Sequence, residues 1–174
     1  MACVVFFRAV NVGGHQKFQP SVLARELAEF GVVNVGAAGT FAVLEPVSQA
    51  ELRAEILRRL PFQPELMICP ASDFLALARS KPFGDAPAGK GVQQFVSVMQ
   101  KSPRNPPRLP FDQPVGDHWE VRVVAISGRF VLSFRRPQGR AIVYPNAVVE
   151  KKFGVSATTR SWNTFDTICE VLEN

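Results

Sequence analysis

Short apolar runs alternate with segments of helical periodicity over the first 70 residues, and this alternation limits the possible folds more than any other feature of the sequence. An apolar run bounded by turn residues predicts a buried strand, and apolar residues three or four positions apart predict a helix packed on a sheet. The predicted strands are 3–7, 32–35, 41–44 and 66–69, and the predicted helices are 20–30 and 49–60. The order β-α-β-β-α-β is that of the split βαβ, or ferredoxin-like, arrangement.

The second half of the chain predicts a smaller α+β unit that packs with the first. Its expected elements are a helix at 72–78, a strand at 94–99, a proline-rich connection at 102–116, a β-hairpin at 119–135 and two C-terminal helices. We therefore expect an α+β fold with a ferredoxin-like subdomain over 1–70 and a second α+β subdomain over 71–174.

The hairpin over 119–135 has the clearest strand pattern of the second half. Ser127 and Gly128 are expected to form its two-residue turn, with glycine where a positive φ is wanted. Along the second strand, Phe130, Leu132 and Phe134 alternate with Arg129, Val131, Ser133 and Arg135. We expect the first set to face the core and the second set to form a partly wet, basic face.

Capping residues mark several helix ends. Ser48 and Glu51 form a capping box before the second helix. Asn146 is expected to cap the helix that stops at Gly154, and Asn163 with Asp166 is expected to cap the last helix.

Composition limits the class of protein. With 47% hydrophobic residues and 14 Phe the chain can bury a sizeable core. Cys3, Cys69 and Cys169 are far apart in apolar surroundings, which favours reduced core thiols over a disulfide framework. No His/Cys cluster for a metal, no membrane-spanning run and no targeting segment occurs, so we expect a cytoplasmic protein without a metal.

The net charge of +5 is compatible with an acidic ligand or nucleic acid, although many surfaces without such a ligand carry a similar charge. Catalytic constellations are scarce, because His15 and His118 are the only possible imidazole bases. The spacing Arg104-x-x-Pro107-x-x-Pro110 matches a ligand of SH3-type domains, but a surface loop stiffened by proline is the favoured interpretation.

The opening segment leads from an apolar strand through Gly13 and Gly14 to a helix, and it contains Arg8, Asn11, His15 and Lys17. Such a turn can aim backbone N–H groups at an anion, with the basic side chains supplying charge. Plainer interpretations are that Arg8 emerges at the strand end, that Asn11 forms a turn with its own backbone, and that His15 and Lys17 are solvated.

The closing segment, 158–164, precedes the last predicted helix and contains Thr158, Thr159, Arg160, Trp162 and Asn163. Hydroxyls and an arginine at a helix N-terminus make a suitable anion site. Ordinary N-capping, with Trp162 as a hydrophobic staple, is the favoured interpretation because every helix needs a cap.

These two segments together resemble a known bacterial family, the domain of unknown function 1697 family. Its members open with Leu-Arg-Gly-Ile-Asn-Val-Gly-Gly, where this chain has Phe7-Arg8-Ala9-Val10-Asn11-Val12-Gly13-Gly14, and close with Thr-Thr-Arg-Asn-Trp-Asn-Thr, where it has Thr158-Thr159-Arg160-Ser161-Trp162-Asn163-Thr164. Ala38-Gly39-Thr40 occupies the place of a Ser-Gly-Asn motif. The resemblance implies a two-unit α+β fold with a ferredoxin-like first unit, and no established reaction.

The chain departs from the family pattern at four positions. Ala9 stands for Gly, Ala38 for Ser, Thr40 for Asn and Ser161 for Asn. A polar cluster built from those side chains would be thinned in this chain, which is consistent with a reduced or altered activity.

The leading hypothesis is a cytoplasmic binding protein or cryptic enzyme for a phosphate-bearing ligand, a nucleotide or nucleic acid. Its site would lie where the opening and closing segments meet, with Trp162 stacking on a base. The alternative is a structural or protein-interaction module, in which carboxylates or carbonyls satisfy Arg8 and Arg160. A third hypothesis is acid–base catalysis by His15. The sequence defines neither a cofactor nor an oligomeric state.

Overall fold

A computed structural model describes residues 1–10, 14, 17–84, 89–137 and 143–174. Over these residues the fold is α+β, with two antiparallel sheets, nine strands and five α-helices. The strands are β1 Cys3–Arg8, β2 Val32–Asn34, β3 Thr40–Val43, β4 Glu65–Pro70, β5 Gln93–Met99, β6 Phe111–Gln113, β7 Val121–Ser127, β8 Phe130–Arg135 and β9 Ala157–Ser161. The helices are α1 Pro20–Glu26, α2 Gln49–Arg58, α3 Ala71–Arg79, α4 Pro145–Phe153 and α5 Trp162–Glu173.

The chain divides into two compact units. The first comprises Met1–Arg79 with Asp166–Asn174, and the second comprises Ser80–Phe165. This division differs from the expected boundary after residue 70. Helix α3 belongs to the first unit because it packs on β1, where the Phe74 and Phe6 ring centroids are 6.0 Å apart.

The sheet of the first unit has the strand order β2-β3-β1-β4, and all neighbouring strands are antiparallel. Strand β1 is buried on both faces, which explains its continuous apolar run. Val5 and Phe7 on one face pack in a core cluster with Leu23 of α1 and Ile56 of α2. The predicted β-α-β-β-α-β order of elements is confirmed over the described residues.

The helix boundaries of the first unit follow local signals in the sequence. Helix α1 ends earlier than predicted and continues as a 3₁₀ turn, Ala28–Phe30, before Gly31 at φ +60°. The Glu51 N–H donates to Ser48 Oγ at 3.1 Å, which confirms Ser48 as the cap of α2.

The sheet of the second unit has the order β6-β7-β8-β5-β9, again antiparallel throughout. Ser127 pairs with Phe130, so the hairpin turn is Gly128-Arg129, one residue later than predicted. Gly128 has φ +57°, as a turn of this kind requires.

Helix α4 covers one face of this sheet. Val148 and Val149 of α4 pack in a core cluster that includes Val131 of β8. The expectation of a partly wet face at Val131 and Ser133 was therefore wrong, since both residues are fully buried. Only residues towards the strand end, such as Arg135, remain partly exposed.

The three cysteines are buried and none forms a disulfide, as expected. Burial is the largest cause that raises the pKa of the Cys169 thiol, to about 11, and burial also raises the pKa of Cys3. The thiols of Cys3 and Cys169 are therefore protonated and weakly reactive at neutral pH.

The loop before β3 closes tightly on the end of β1. The Phe7 N–H donates to the Gly39 carbonyl at 2.8 Å, and a methyl group on Gly39 would lie 2.7 Å from Phe7 Cβ. Only glycine fits this approach. Two residues beyond Phe7, Ala9 has φ +54°, a left-handed conformation that disfavours residues with a Cβ.

We expect Ala9→Gly to raise the free energy of unfolding by about 0.5–1 kcal/mol, because the left-handed conformation costs alanine more than the extra chain entropy of glycine costs. Calorimetric melting of the full chain measures the change. Ala38→Gly is the matched control: Ala38 is exposed and has no positive φ. It should lower stability by about 0.5–1 kcal/mol. Equal destabilisation by both changes would contradict the strain at Ala9.

Candidate functional site

Arg8 is explained largely by its position at the end of β1. It lies opposite Glu65 of β4, and Arg8 Nη1 is 3.5 Å from Glu65 Oε2. Both side chains are about one-third exposed, so this is a surface ion pair of modest energy. A carboxylate partner for Arg8 is what the structural alternative predicts.

The rest of the opening segment is described in part. The predicted ligand residues Asn11 and Gly13, and the candidate base His15, lie outside the described residues. Gly14 is exposed at φ +83°, and a methyl group placed on it would lie 3.7 Å from Lys17 Cε. Gly14 and Lys17, two predicted ligand residues, are therefore neighbours.

Lys17 also lines a cavity of about 300 Å³ within the first unit. Its lining includes the apolar residues Phe18 and Leu60 and the charged residues Glu26 and Arg59. Arg59 is engaged by Glu55 and Glu29. Among the described lining residues, the charges of Lys17 and Glu26 offset each other, and Arg59 is already paired.

The closing segment differs from its prediction. Thr158, Thr159 and Arg160 lie in strand β9, and not at the helix N-terminus where the sequence predicts them. Their partners on β5 are Val98, Ser97 and Val96, respectively. β-Branched threonines suit a strand, and pairing with β5 satisfies backbone groups that a loop would leave to ligands or water.

Thr159 belongs to a chain of side-chain hydrogen bonds. Ser97 Oγ and Thr159 Oγ1 are 2.6 Å apart, and Thr159 Oγ1 donates to Asn146 Oδ1 at 2.9 Å. The predicted cap at Asn146 was wrong, because Tyr144 occupies the N-cap position of α4 and Asn146 bonds to β9 instead. These contacts tie α4 to the edge of the sheet.

Arg160 is buried, with 9% of its surface exposed. Its Nη1 donates to Thr158 Oγ1 at 2.8 Å and to the Thr159 carbonyl at 3.0 Å. Desolvation lowers the pKa of Arg160 to about 10, which still leaves the guanidinium charged at neutral pH. Thr158 and Arg160 therefore bond to each other within the protein.

Helix α5 begins directly after β9. Thr164 N–H donates to Ser161 Oγ at 3.3 Å, so Ser161 is the capping residue and the predicted Asn163–Asp166 cap was wrong. Trp162 stacks on Phe165 with ring centroids 5.0 Å apart and meets Phe83 edge-on at 5.2 Å. Trp162 is thus held in an aromatic cluster of the second unit.

A cavity of about 400 Å³ opens where α5 begins. Its lining includes Gln93, Gln94, Phe95, Ser161, Trp162 and Asn163. The structure therefore brings Trp162 and Asn163 together with two glutamines that the sequence analysis missed. The sequence did contain a signal for them, because Gln93 and Gln94 are adjacent amides where the strand at 94–99 is predicted to begin.

Charge is divided unequally between the units, which the total of +5 hides. The second unit has 13 Lys and Arg against 5 Asp and Glu, a net charge of +8. The first unit has 7 Lys and Arg against 10 Asp and Glu, a net charge of −3. A strongly basic unit attracts anionic partners over long distances.

The sequence also predicts a chain without a membrane-spanning segment and without a metal site. None of the helices that the structure describes combines the length and the apolar character of a membrane span. The same residues contain no group of three or more side chains suited to hold a metal ion.

We expect Ser97→Ala to lower the free energy of unfolding of the second unit by about 1–2 kcal/mol, because it removes the hydrogen bond to Thr159. Ser133→Ala is the matched control. Ser133 is equally buried, but its Oγ has no hydrogen-bond partner among the described residues, so the change should be neutral or stabilising. Tryptophan fluorescence during denaturation reports this unit, since it contains both Trp119 and Trp162. Equal losses would contradict a specific role for the Ser97–Thr159 contact.

Comparison with known proteins supports the resemblance seen in the sequence. The chain is similar to the solved structure of the conserved bacterial protein SP0830 from Streptococcus pneumoniae, with a TM-score of 0.57, 17% identity and 98% of each chain covered. At that identity the likeness concerns the fold. None of the curated proteins matches the chain. The family described as "Protein of unknown function (DUF1697)" matches residues 1–129, and the chain belongs to this family.

Proposed function

We propose that the protein binds a phosphate-bearing ligand, a nucleotide or nucleic acid, in the second unit at the cavity where α5 begins. The observation that carries the proposal is that Ser161, Trp162 and Asn163 of the closing segment line this cavity. Its volume of about 400 Å³ suits a small ligand, since such sites typically span about 300–1,000 Å³.

The chemistry at the start of α5 favours an anion. The first turn of a helix presents N–H groups without intrahelical acceptors at the positive end of the helix dipole. Helix α5 has no acidic residue in its first turn to occupy that end. The side-chain amides of Gln93, Gln94 and Asn163 add donors around the cavity.

The predicted residues of the closing segment take different roles in this proposal. Asn163 and Trp162 contact the ligand, whereas Thr158, Thr159 and Arg160 hold β9 in position through their internal hydrogen bonds. The net charge of +8 on the second unit supports an attraction to phosphate groups.

The opening segment supports a separate proposal for the first unit. Gly14 and Lys17 are neighbours and could hold one anionic group, while Arg8 is paired with Glu65. We also infer that the first unit is ferredoxin-like. Its β2-β3-β1-β4 order supports this, because β3 separates β1 from β2 in the way a split βαβ unit requires.

The alternative is a structural or protein-interaction module without a small-molecule ligand. It is favoured by the internal hydrogen bonds of Arg160 and by the ion pair of Arg8. In that case the closing segment has only a structural role, as the end of β9 and the start of α5. Phosphorylated compounds then do not stabilise the protein.

Asn163→Asp separates the two hypotheses. A carboxylate in the first turn should stabilise α5 by about 0.3–1 kcal/mol, yet repel a phosphate in the adjacent cavity. We therefore expect the variant to melt at or slightly above the melting temperature of the wild type, and to lose most of the thermal shift that nucleotides give the wild type. Asn105→Asp, an exposed change of the same kind away from the cavity, is the control. The proposal fails if nucleotides shift the melting temperature of neither protein, or of both equally.

A salt titration distinguishes nucleic acid from a single nucleotide. If the second unit binds single-stranded nucleic acid, log K should fall steeply with log salt, with a slope of about −0.7 for each phosphate contacted. Filter binding of a short oligonucleotide measures this slope. Binding that is weak at every salt concentration would leave a nucleotide as the ligand class.

A further inference from the structure

A second cavity, of about 620 Å³, lies in the second unit beside β6. Strand β6 forms one edge of the sheet and β9 forms the other, so this groove and the cavity at α5 are at opposite edges. The groove lies between β6, β7 and the C-terminal end of α4, which contribute Phe111, Val124 and Lys152, respectively.

Among the described residues of the groove lining, the single carboxylate is already neutralised. Asp112 accepts two hydrogen bonds from Arg122, at 2.7 Å from Nε and 2.9 Å from Nη2. These bonds are the largest cause that lowers the pKa of Asp112. Arg122 is also held over the Trp119 ring, with its Cζ 4.4 Å from the ring centroid. Asp112 and Arg122 therefore form a fixed ion pair that adds no net charge to the groove.

The other two cations that the structure describes in the lining, Arg108 and Lys152, have no polar partner among the described residues, neither a hydrogen bond nor an ion pair. Lys152 has only a ring contact, its Nζ lying 5.8 Å from the centroid of Phe111. Two exposed positive charges thus line the same groove without a counter-ion among the residues that the structure describes.

Apolar side chains form the rest of the groove. Phe111, Val124, Pro107 and Pro110 line it, and Val115 lies in the same lining with 90% of its surface exposed. The groove therefore combines exposed apolar surface at Val115 with the positive charges of Arg108 and Lys152. This combination suits a ligand that has both an anionic group and an apolar body.

The edge strand itself does not suit an added peptide strand. Strand β6 has only three residues, and Pro110 and Pro114 flank it. Proline has no N–H to donate to a neighbouring strand, so backbone pairing with a partner would be short.

We propose that this groove binds a small organic anion, whose charged group is held by Arg108 and Lys152 and whose apolar body packs on Phe111, Val115 and Val124. The two sites have no described lining residue in common, and this proposal holds whether or not the cavity at α5 binds phosphate. Charge complementarity and the joint presence of cations and apolar surface identify the ligand class.

The test uses the full chain and three probes: phenyl phosphate, inorganic phosphate and phenol. NMR titration should show phenyl phosphate shifting the methyl signals of Val115 and Val124. Because both features of the ligand contribute, inorganic phosphate and phenol should each bind at least about tenfold more weakly. Octanoate in place of phenyl phosphate shows whether a carboxylate serves as well as a phosphate.

Two double variants remove the same charge from different places. Arg108→Gln with Lys152→Gln should weaken phenyl phosphate binding by at least about tenfold. Arg104→Gln with Lys151→Gln removes one exposed arginine and one exposed lysine outside the groove lining, and should change affinity by less than about twofold. Equal weakening by both pairs would reduce the effect to general charge and overturn the proposal. So would inorganic phosphate binding as tightly as phenyl phosphate, or no shift at Val115 and Val124.

Discussion

The pairing of β9 with β5 determines where the polar residues of the second unit lie. It places Thr159 beside Ser97 and turns Thr158 and Arg160 to the opposite face of the sheet. It also ends the strand at Ser161, so that α5 starts immediately and Ser161 caps it. A loop in this position would leave the same side chains free to contact a ligand, whereas a strand commits most of them to the protein.

Sequence patterns predicted the elements of the first unit well because its signals are local. A continuous apolar run, a Ser48 cap and a glycine stop each act within a few residues. Strand β9 was missed because Ala157–Ser161 has no apolar alternation that shows a strand. Its stability comes from β5, some sixty residues earlier, and such long-range pairing leaves little trace in a local window.

The candidate site was harder to predict than the fold for the same reason. Gln93 and Asn163 line one cavity although 70 positions separate them in the sequence. The wrong expectation at Ser133 also has a long-range cause, because α4 covers a face that alternation alone would leave to solvent. Where Asn11 and Gly13 are concerned, the ligand role stays a prediction from the sequence.

The two units also differ in what their surfaces can attract. The acidic first unit has its cations largely engaged, as the Arg8–Glu65 and Arg59–Glu55 pairs illustrate. In the basic second unit, Arg108 and Lys152 have no polar partner among the described residues.

The order of these units along the chain has a consequence for biosynthesis. Residues 166–174 complete the first unit, yet they follow the whole of the second. The ribosome therefore finishes the basic unit while the acidic one still lacks the end of α5, including the buried Ile168.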